Sequence, residues 1–203
     1  YLYDCHEIDL RPMPTITLDD IAYRYEKRDI FEHLNAQWGD KTVVVGANGA
    51  GKTTLLKIIA RELVAQSGSV RFEGRTDYRA MTLFDDKILF DHLTIASHFE
   101  WLCCAYQKDA SWLDRKRSTF AIDDYWNRCP HALSAGQRRW CATALALSVQ
   151  ADIFLFDEPL CTLDDEHKKL WFSIVDDLNV AVVATDQCHH RDRWHAPWHC
   201  VSI

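Results

Sequence analysis

Long apolar segments are absent from this chain of 203 residues. The best candidates, residues 141–151 and 180–185, fall short of the roughly 18 residues that a bilayer-spanning helix needs. Any function at a membrane would therefore depend on a partner. The composition is otherwise that of an ordinary globular chain, with 48% hydrophobic and 26% charged residues.

Basic residues are in deficit. The 23 Lys and Arg residues against 30 Asp and Glu give a net charge of −7, which argues against a nucleic-acid groove with its basic stripe. The eight cysteines include no C-x-x-C pair. We therefore interpret them as reduced thiols and not as a disulfide framework.

Strand-like and helix-like segments alternate along the chain. The patterns predict strands over residues 15–25, 42–45, 69–72, 153–156 and 180–185, helices over 52–63 and 165–177, and a mostly helical region over 92–149. Such alternation predicts an α/β fold that binds ligands at the carboxyl ends of its strands.

Glycine is scarce, yet three of the seven glycines lie in the segment GANGAGKTT, residues 46–54. The segment matches G-x4-G-K-[ST] between a predicted strand and a predicted helix, which is the context of a phosphate-binding loop. Lys52 is expected to reach the β- and γ-phosphates, and the Thr53 hydroxyl to hold Mg²⁺. The predicted ATP-binding residues of this loop are Gly46, Asn48, Gly49, Ala50, Gly51, Lys52, Thr53 and Thr54. The alternative is a glycine-rich turn without a ligand.

The segment IFLFDEP places Asp157 and Glu158 at the end of a buried strand, where two acids are costly unless a cation or water is present. Asp157 is expected to hold Mg²⁺ through water, and Glu158 to orient or deprotonate the attacking water. Alone, the pair would be a strand-end turn cap.

The segment LSAGQ, residues 133–137, places Ser134 as the N-cap of a predicted helix. The backbone N–H at Gly136 would then be available to an anion. Taken alone, this pentapeptide is more simply a helix cap.

These motifs together resemble the ATP-binding cassette (ABC) ATPases, the nucleotide-binding domains of transporters. The resemblance covers residues 15–185. Within that range the dipeptide Leu163-Asp164 also matches, and all the matching segments occur in the family order. It implies one ABC domain over residues 1–203, of the P-loop NTPase type. A RecA-like core would span about 15–84 and 150–187, an inserted helical subdomain about 85–149, and a tail 188–203.

The resemblance also implies roles and partners. Two domains would pack head to tail as a homodimer, so that Ser134, Gly136 and Gln137 of one cover the ATP of the other. Tyr25 matches the aromatic residue that stacks on adenine; the alternative is a strand-edge tyrosine. ATP and Mg²⁺ are the expected cofactors, and integral-membrane permease subunits the expected partners.

Within the family, several segments are similar to the ATP subunits of heme-export and cytochrome c maturation systems, the CcmA-like proteins. They are LSAGQRRW, FDEPLCTLD, ATDQ and LTIASHFEW. This likeness implies ATP-driven conformational change in a heme-handling membrane complex. The location would be the matrix face of the mitochondrial inner membrane or the cytoplasmic face of a bacterial inner membrane.

Three positions depart from the family pattern. Asp86 stands where a glutamine normally contacts Mg²⁺ and the attacking water, with Asp85 as the alternative register. Cys161 replaces a Ser or Thr. Asp186, at the end of the last predicted strand, replaces the histidine that touches the γ-phosphate.

The change at Asp186 reverses a charge, and two unit charges about 4 Å apart interact by roughly 4 kcal/mol at an effective dielectric near 20. With Asp86, Asp157 and Glu158, four carboxylates would surround one Mg²⁺ unless some are protonated, turned away or neutralised. We therefore expect ATP and Mg²⁺ to bind but hydrolysis to be slow or absent. His189 or His190 is a conceivable substitute for the missing histidine.

Two further features have competing interpretations. The tail of residues 188–200 could bind metal or heme through His195 and His199, or be a surface tail anchored by tryptophan. The tryptophans at 101, 112, 126 and 140 indicate either an aromatic core or a groove for a membrane partner.

The preferred interpretation is therefore an ABC-type ATPase subunit. One rival is an ABC subunit for another substrate. The other is a non-hydrolysing structural or regulatory module that keeps ATP bound.

Overall fold

The computed structural model describes residues 15–26, 28–73, 76–187 and 192–203. By its internal contacts the chain divides into two compact units, and each is described by itself. The core unit contains residues 15–84, 151–158 and 176–203, and the helical unit contains residues 85–150 and 159–175. Residues 159–175, predicted to be part of the core, thus group with the helical unit.

The core unit is built on a five-stranded parallel sheet. Its strands are β3 (Lys41–Val45), β5 (Ala80–Leu83), β6 (Ile153–Phe156), β7 (Ala181–Asp186) and β8 (His199–Ser202), in the order β5-β6-β7-β3-β8. Every residue of β3, β6 and β7 is buried, as expected of parallel strands covered on both faces.

A second, antiparallel sheet completes the core unit with the helix α1 (Lys52–Ile59). It consists of β1 (Ile16–Tyr25), β2 (Arg28–Trp38) and β4 (Ser67–Phe72), in the order β2-β1-β4. One hydrophobic cluster joins all three elements. It includes Ile16, Leu18 and Ile21 of β1, Leu55, Leu56 and Ile59 of α1, and Leu155 and Val183 of the parallel sheet. Burial of each such side chain contributes about 1.5–3 kcal/mol.

The helical unit contains α2 (Ile95–Ala105), α3 (Ala110–Thr119), α4 (Ala135–Ala146) and all but the last residue of α5 (Asp165–Asp176), with short 3-10 turns at Asp123–Tyr125 and Pro130–Ala132. Trp112 and Trp140 are buried core residues, whereas Trp101 is 60% exposed. Trp112 and Trp140 thus agree with the aromatic-core interpretation, whereas a partner groove at Trp101 stays a prediction. No helix of the described ranges combines the length and the apolar character that crossing a membrane requires.

Several element boundaries differ from those predicted. The first helix ends at Ile59 and not near residue 63, because Arg61 adopts a left-handed backbone (φ 63°) and the N–H of Glu62 turns back to the Lys57 carbonyl. The strands β2, β5 and β8 were not predicted. Because β8 begins at His199, His195 and His199 do not share a helical face.

His98 of α2 is held in a neutral form inside the helical unit. Its Nε2 accepts the Phe90 N–H (2.8 Å), so Nδ1 carries the proton that faces the Thr94 carbonyl oxygen (2.7 Å). Burial lowers the pKa of His98 below its usual value. The unfolded chain therefore takes up a proton near pH 6.5 while the folded chain does so only at lower pH.

The stabilisation from His98 is consequently complete above about pH 6.5 and is lost as the pH falls from there toward the folded-state pKa. We predict that the melting temperature of the native chain falls more steeply between about pH 7.5 and pH 5.5 than that of His98→Gln, which cannot be protonated. His131→Gln, in the same unit, is the control for removal of an exposed histidine. Parallel melting curves for the native chain and His98→Gln would contradict the prediction.

Candidate functional site

The loop between β3 and α1 has the backbone shape of a phosphate cradle. Gly49 and Gly51 have positive φ angles of 81° and 103°, which glycine adopts without steric cost. A Cβ atom on Gly51 would lie 2.6 Å from Cγ2 of Ile30, so space also demands glycine there. Gly51 is the N-cap of α1, and no side chain caps the helix. The first N–H groups of α1 therefore remain available to an anion.

Lys52 is folded back into this loop. Its side chain is only 6% exposed, and Nζ donates to the carbonyl oxygens of Gly46 (2.8 Å) and Ala47 (3.2 Å). Nζ also lies 3.8 Å from Oε1 of Glu158. The ammonium group thus stands between the phosphate loop and the strand-end carboxylates, where it can meet a phosphate oxygen.

The two strand-end acids follow β6 and are tied to the neighbouring elements. Oδ2 of Asp157 accepts the Thr53 hydroxyl (2.6 Å), and Oδ1 accepts the Thr185 hydroxyl (2.5 Å). The backbone N–H of Glu158 donates to the same Thr185 oxygen (3.0 Å). The predicted Mg²⁺ ligands Thr53 and Asp157 are thus adjacent.

The phosphate loop, Lys52 and Glu158 border a cleft of about 450 Å³ in the core unit, within the size range of small-molecule sites. The cleft is lined by Tyr25, Ile30, Asn48, Gly49, Gly51, Lys52, Thr53, Thr54 and Glu158. Tyr25 is 47% exposed and packs edge-on against Tyr23 with 5.1 Å between ring centroids. Of the predicted loop residues, only Gly46 and Ala50 are not among the lining residues.

Two residues at the cleft were missed because β2 was not predicted. Ile30 contributes to the lining, and the guanidinium of Arg28 donates to the carbonyl oxygen of Gly49 (3.0 Å). Nothing in the local sequence of β2 indicates either contact, since most of its side chains are exposed or half-buried and form no clear hydrophobic alternation.

Asp186, the predicted substitute for the γ-phosphate histidine, is turned toward the C-terminal segment. It is 6% exposed, and Oδ2 accepts the indole N–H of Trp194 (2.8 Å) while Oδ1 accepts the N–H of Gln187 (2.8 Å). The side-chain amide of Gln187 lies 3.5 Å from Oε2 of Glu158. In this arrangement the side-chain amide of Gln187 approaches the carboxylate of Glu158.

The LSAGQ segment begins α4 in the helical unit, and its predicted N-cap is confirmed. Ser134 Oγ accepts the N–H of Gln137 (3.3 Å), and Oε1 of Gln137 accepts the N–H of Ser134 (3.0 Å), which is a reciprocal capping box. A Cβ atom on Gly136 would lie 2.6 Å from the carbonyl oxygen of Thr162. Only glycine therefore fits at that position.

Asp86 also lies in the helical unit and is paired with a cation. Its carboxylate accepts a hydrogen bond from Nε of Arg138, the residue that follows LSAGQ, and this contact raises the pKa of Arg138 above its usual value. Asp85, the alternative register, accepts the N–H of Lys87 (2.9 Å) and pairs with its ammonium (3.0 Å). The Asp86–Arg138 pair was not predicted.

The remaining predicted features concern metal in the tail and substitute histidines. Cys188, His189 and His190 lie outside the described residues. Within residues 15–26, 28–73, 76–187 and 192–203, no group of three or more His, Cys, Asp or Glu side chains is arranged to hold a metal ion.

A phosphate loop between a buried parallel strand and a helix, with two acids at the end of a neighbouring strand, defines a P-loop nucleotide-binding domain. A protein-family model described as "ABC transporter" matches residues 32–161. The chain therefore belongs to the ABC transporter family of ATP-binding proteins. It is an ABC-type ATPase by family, and ATPase activity is expected of it.

Individual relatives agree with this assignment. The thiamine import ATP-binding protein ThiQ of Photorhabdus laumondii is 33% identical over 189 residues, which cover 87% of this chain and 76% of ThiQ. ThiQ of Escherichia coli (strain K12) is 31% identical, covering 79% and 74%. The sn-glycerol-3-phosphate import ATP-binding protein UgpC of Ruegeria sp. is 28% identical, covering 75% of this chain and 47% of UgpC.

Solved structures show the same fold. A bacterial Atm1-family ABC exporter with ATP bound superposes with a TM-score of 0.79 at 19% identity, covering 93% of this chain and 37% of the exporter. CbiO1 from Clostridium perfringens, part of the transporter complex CbiONQ, gives a TM-score of 0.71 at 21% identity, covering 87% and 79%. The predicted fold class is confirmed.

The Trp194–Asp186 hydrogen bond predicts a measurable coupling. Trp194→Phe removes one donor from a buried carboxylate, which we expect to lower the free energy of unfolding by about 1–3 kcal/mol in urea titrations. In the background of Asp186→Asn the same change should cost less, because the charged acceptor is already gone. Trp140→Phe, which removes an equally long indole bond (2.8 Å) to the Phe120 carbonyl in the helical unit, should cost the same in both backgrounds. Strict additivity of Trp194→Phe and Asp186→Asn would refute the coupling.

Proposed function

We propose that this chain binds MgATP in the cleft beside Lys52 and works as one of a head-to-tail pair of ATP-binding subunits that drives a membrane transport complex. The observation that carries the proposal is the convergence of the phosphate loop, Lys52, Thr53 and the acids Asp157 and Glu158 on one cleft of an ABC-type domain.

In this proposal the phosphates of ATP bind to Lys52 and to the backbone N–H groups of the loop. Lys52 exchanges its bonds to the loop carbonyls for contacts with the β- and γ-phosphate oxygens, which the loop N–H groups also bind. Tyr25, exposed at the same cleft, offers a ring face for the adenine base. Both roles rest on side chains that line the cleft together.

The oxygen atoms of Thr53 and Asp157 fit Mg²⁺. A hydroxyl and a carboxylate oxygen lie 2.6 Å apart, and Mg²⁺ prefers such hard oxygen donors together with water and substrate phosphates. When bound, Mg²⁺ would neutralise charge on the phosphates. Glu158 would then orient or deprotonate the attacking water. We do not include Asp86 among the ligands, because its carboxylate is paired with Arg138.

Asp186 is likewise excluded from the proposed catalytic groups. Its carboxylate is engaged by Trp194 and by the N–H of Gln187, and contact with an anionic γ-phosphate would be repulsive. Glu158 is therefore the single catalytic acid of the proposal. That hydrolysis is slow for want of the usual histidine stays a prediction.

The partner subunit's nucleotide is assigned to the LSAGQ segment. Ser134 is exposed at the start of α4, where its hydroxyl and the first helical N–H groups can meet an anion. Gly136 and Gln137 complete this surface. The exposed side chains of Phe90 and Trp101, with ring centroids 5.9 Å apart, are our candidate contact for the membrane subunits, since clustered exposed aromatics mark interaction sites.

The cargo we propose is a small solute that is imported. The named relatives are ATP-binding proteins of thiamine and glycerol-3-phosphate import, whereas none of them is a heme exporter, so the heme-export and cytochrome c maturation prediction lacks their support. These relatives are bacterial, and we propose a peripheral position on the cytoplasmic face of a bacterial inner membrane. The mitochondrial alternative lacks comparable support.

A single-turnover experiment tests the proposal on the chain co-purified with its membrane partners. We expect Glu158→Gln to bind ATP as the native chain does but to cleave it about 10²–10⁴-fold more slowly, because the general base is gone. Lys52→Ala should lose ATP binding itself. Glu166→Gln, an exposed position of α5, is the matched control and should behave as the native chain.

The outcomes separate the candidates. A native chain that binds no ATP contradicts the proposed function. ATP that stays bound and uncleaved by both the native chain and Glu158→Gln would instead favour the non-hydrolysing structural or regulatory module.

A further inference from the structure

Thr185 is a buried polar residue at the edge of the site. It is the second-last residue of β7 and is fully buried (0% exposed). A hydroxyl in such surroundings is costly unless its hydrogen-bonding capacity is used. The family motifs considered above assign it no role.

The Thr185 hydroxyl is bonded to both acids of the site. As a donor it contacts Oδ1 of Asp157 (2.5 Å), and as an acceptor it receives the backbone N–H of Glu158 (3.0 Å). A hydroxyl has one hydrogen and two lone pairs, so it can make both contacts at once. The parallel pairing of Phe156 with Ala184 sets Thr185 opposite Asp157, one residue further along each strand.

The first contact fixes the orientation of the Asp157 carboxylate. Oδ1 is held by Thr185 while Oδ2 accepts the Thr53 hydroxyl (2.6 Å). The oxygen that faces Thr53 is therefore the one presented to a cation. Partners of this kind, which orient a ligand without touching the metal, influence metal affinity and activity.

The second contact restrains an unusual backbone. Glu158 has a φ angle of 46°, in the left-handed region that is unfavourable for a residue other than glycine and persists only when its surroundings enforce it. The hydrogen bond from its N–H to Thr185 is one such restraint. Without it, the backbone that carries the Glu158 carboxylate is freer to relax away from the cleft.

We propose that Thr185 is a positioning residue for ATP cleavage, because one hydroxyl sets both the carboxylate that faces the cation and the backbone of the acid that faces the attacking water. The inference rests on the proposed function of the cleft. It requires the hydroxyl of Thr185, whereas a purely structural role requires the volume of the side chain.

Two substitutions separate the hydroxyl from the methyl group. Thr185→Val keeps the volume and removes the hydroxyl, and Thr185→Ser keeps the hydroxyl and removes the methyl group. Thr42→Val is the matched control, since Thr42 is also fully buried (0% exposed), lies on the adjacent strand β3, and makes a bond of 3.4 Å to the Gly39 carbonyl away from the cleft.

Four quantities are measured on each variant. The first two are the single-turnover rate of ATP cleavage and the affinity of the ATP-bound protein for Mn²⁺, which is measured by electron paramagnetic resonance. The other two are the affinity for ATP in the absence of divalent metal and the melting temperature. We expect Thr185→Val to lower the cleavage rate and the Mn²⁺ affinity by about 10–100-fold, with metal-free ATP binding unchanged. Thr185→Ser should restore both toward native values even if its melting temperature is lower. Thr42→Val should cleave as the native chain does.

The inference would be overturned if Thr185→Val cleaved ATP and bound Mn²⁺ as the native chain does. It would also be overturned if Thr185→Ser and Thr185→Val lost cleavage rate and Mn²⁺ affinity equally. If the native chain binds ATP without cleaving it, the Mn²⁺ affinities alone decide the matter. If the native chain binds no ATP, the proposed function fails and this inference fails with it. If the native chain binds ATP and Thr185→Val changes neither cleavage nor Mn²⁺ affinity, only the inference is refuted and the proposed function stands.

Discussion

The parallel pairing of β3, β7 and β6 is the constraint on which the site depends. Adjacent parallel strands end at one edge of the sheet, so the phosphate loop after β3, Asp186 at the end of β7 and Asp157 after β6 meet there without a dedicated binding domain. Apolar runs lead up to this edge in all three strands, over residues 43–45 of β3, 153–156 of β6 and 181–184 of β7. Polar groups follow these runs, so the same sheet forms the centre of the core unit and positions the residues of the site.

Acidic residues at such an edge repel one another unless each has a partner of its own. Asp157 receives two hydroxyl groups, and Glu158 lies near the ammonium of Lys52. The two unexpected acids are satisfied differently, Asp186 by an indole and Asp86 by a guanidinium in the other unit. The sequence predicts four carboxylates around one cation, but in the structure Asp186 and Asp86 are each engaged by another partner.

Much of the fold could be predicted because its signals are local. The glycines of residues 46–51, the apolar run of β6 and the serine that caps α4 each specify their own conformation, and all three are found where expected. The strand β2 was missed because most of its side chains are exposed or half-buried, which leaves no clear period. The end of α1 depends on a left-handed residue, Arg61, which carries no glycine signal.

The contacts that the sequence could not indicate join distant parts of the chain. The Arg28 bond to Gly49 joins residues 21 positions apart, and the Arg138 bond to Asp86 joins residues 52 positions apart. The sequence predicts Asp186 to depart from the family pattern, but a carboxylate looks the same in sequence whether it faces a phosphate or an indole. Only the fold decides, because it brings the segment that contains Trp194 back beside β7.

Residue 186 performs two tasks with different parts of its structure. Its side chain engages Trp194, while its carbonyl oxygen accepts the N–H of Gly46 at the start of the phosphate loop (3.3 Å). The second bond belongs to the main chain, and every amino acid supplies the same carbonyl. The side chain at this position can therefore differ without releasing the loop from the sheet. The anchoring of the loop and the chemistry of the side chain are, at this residue, separable.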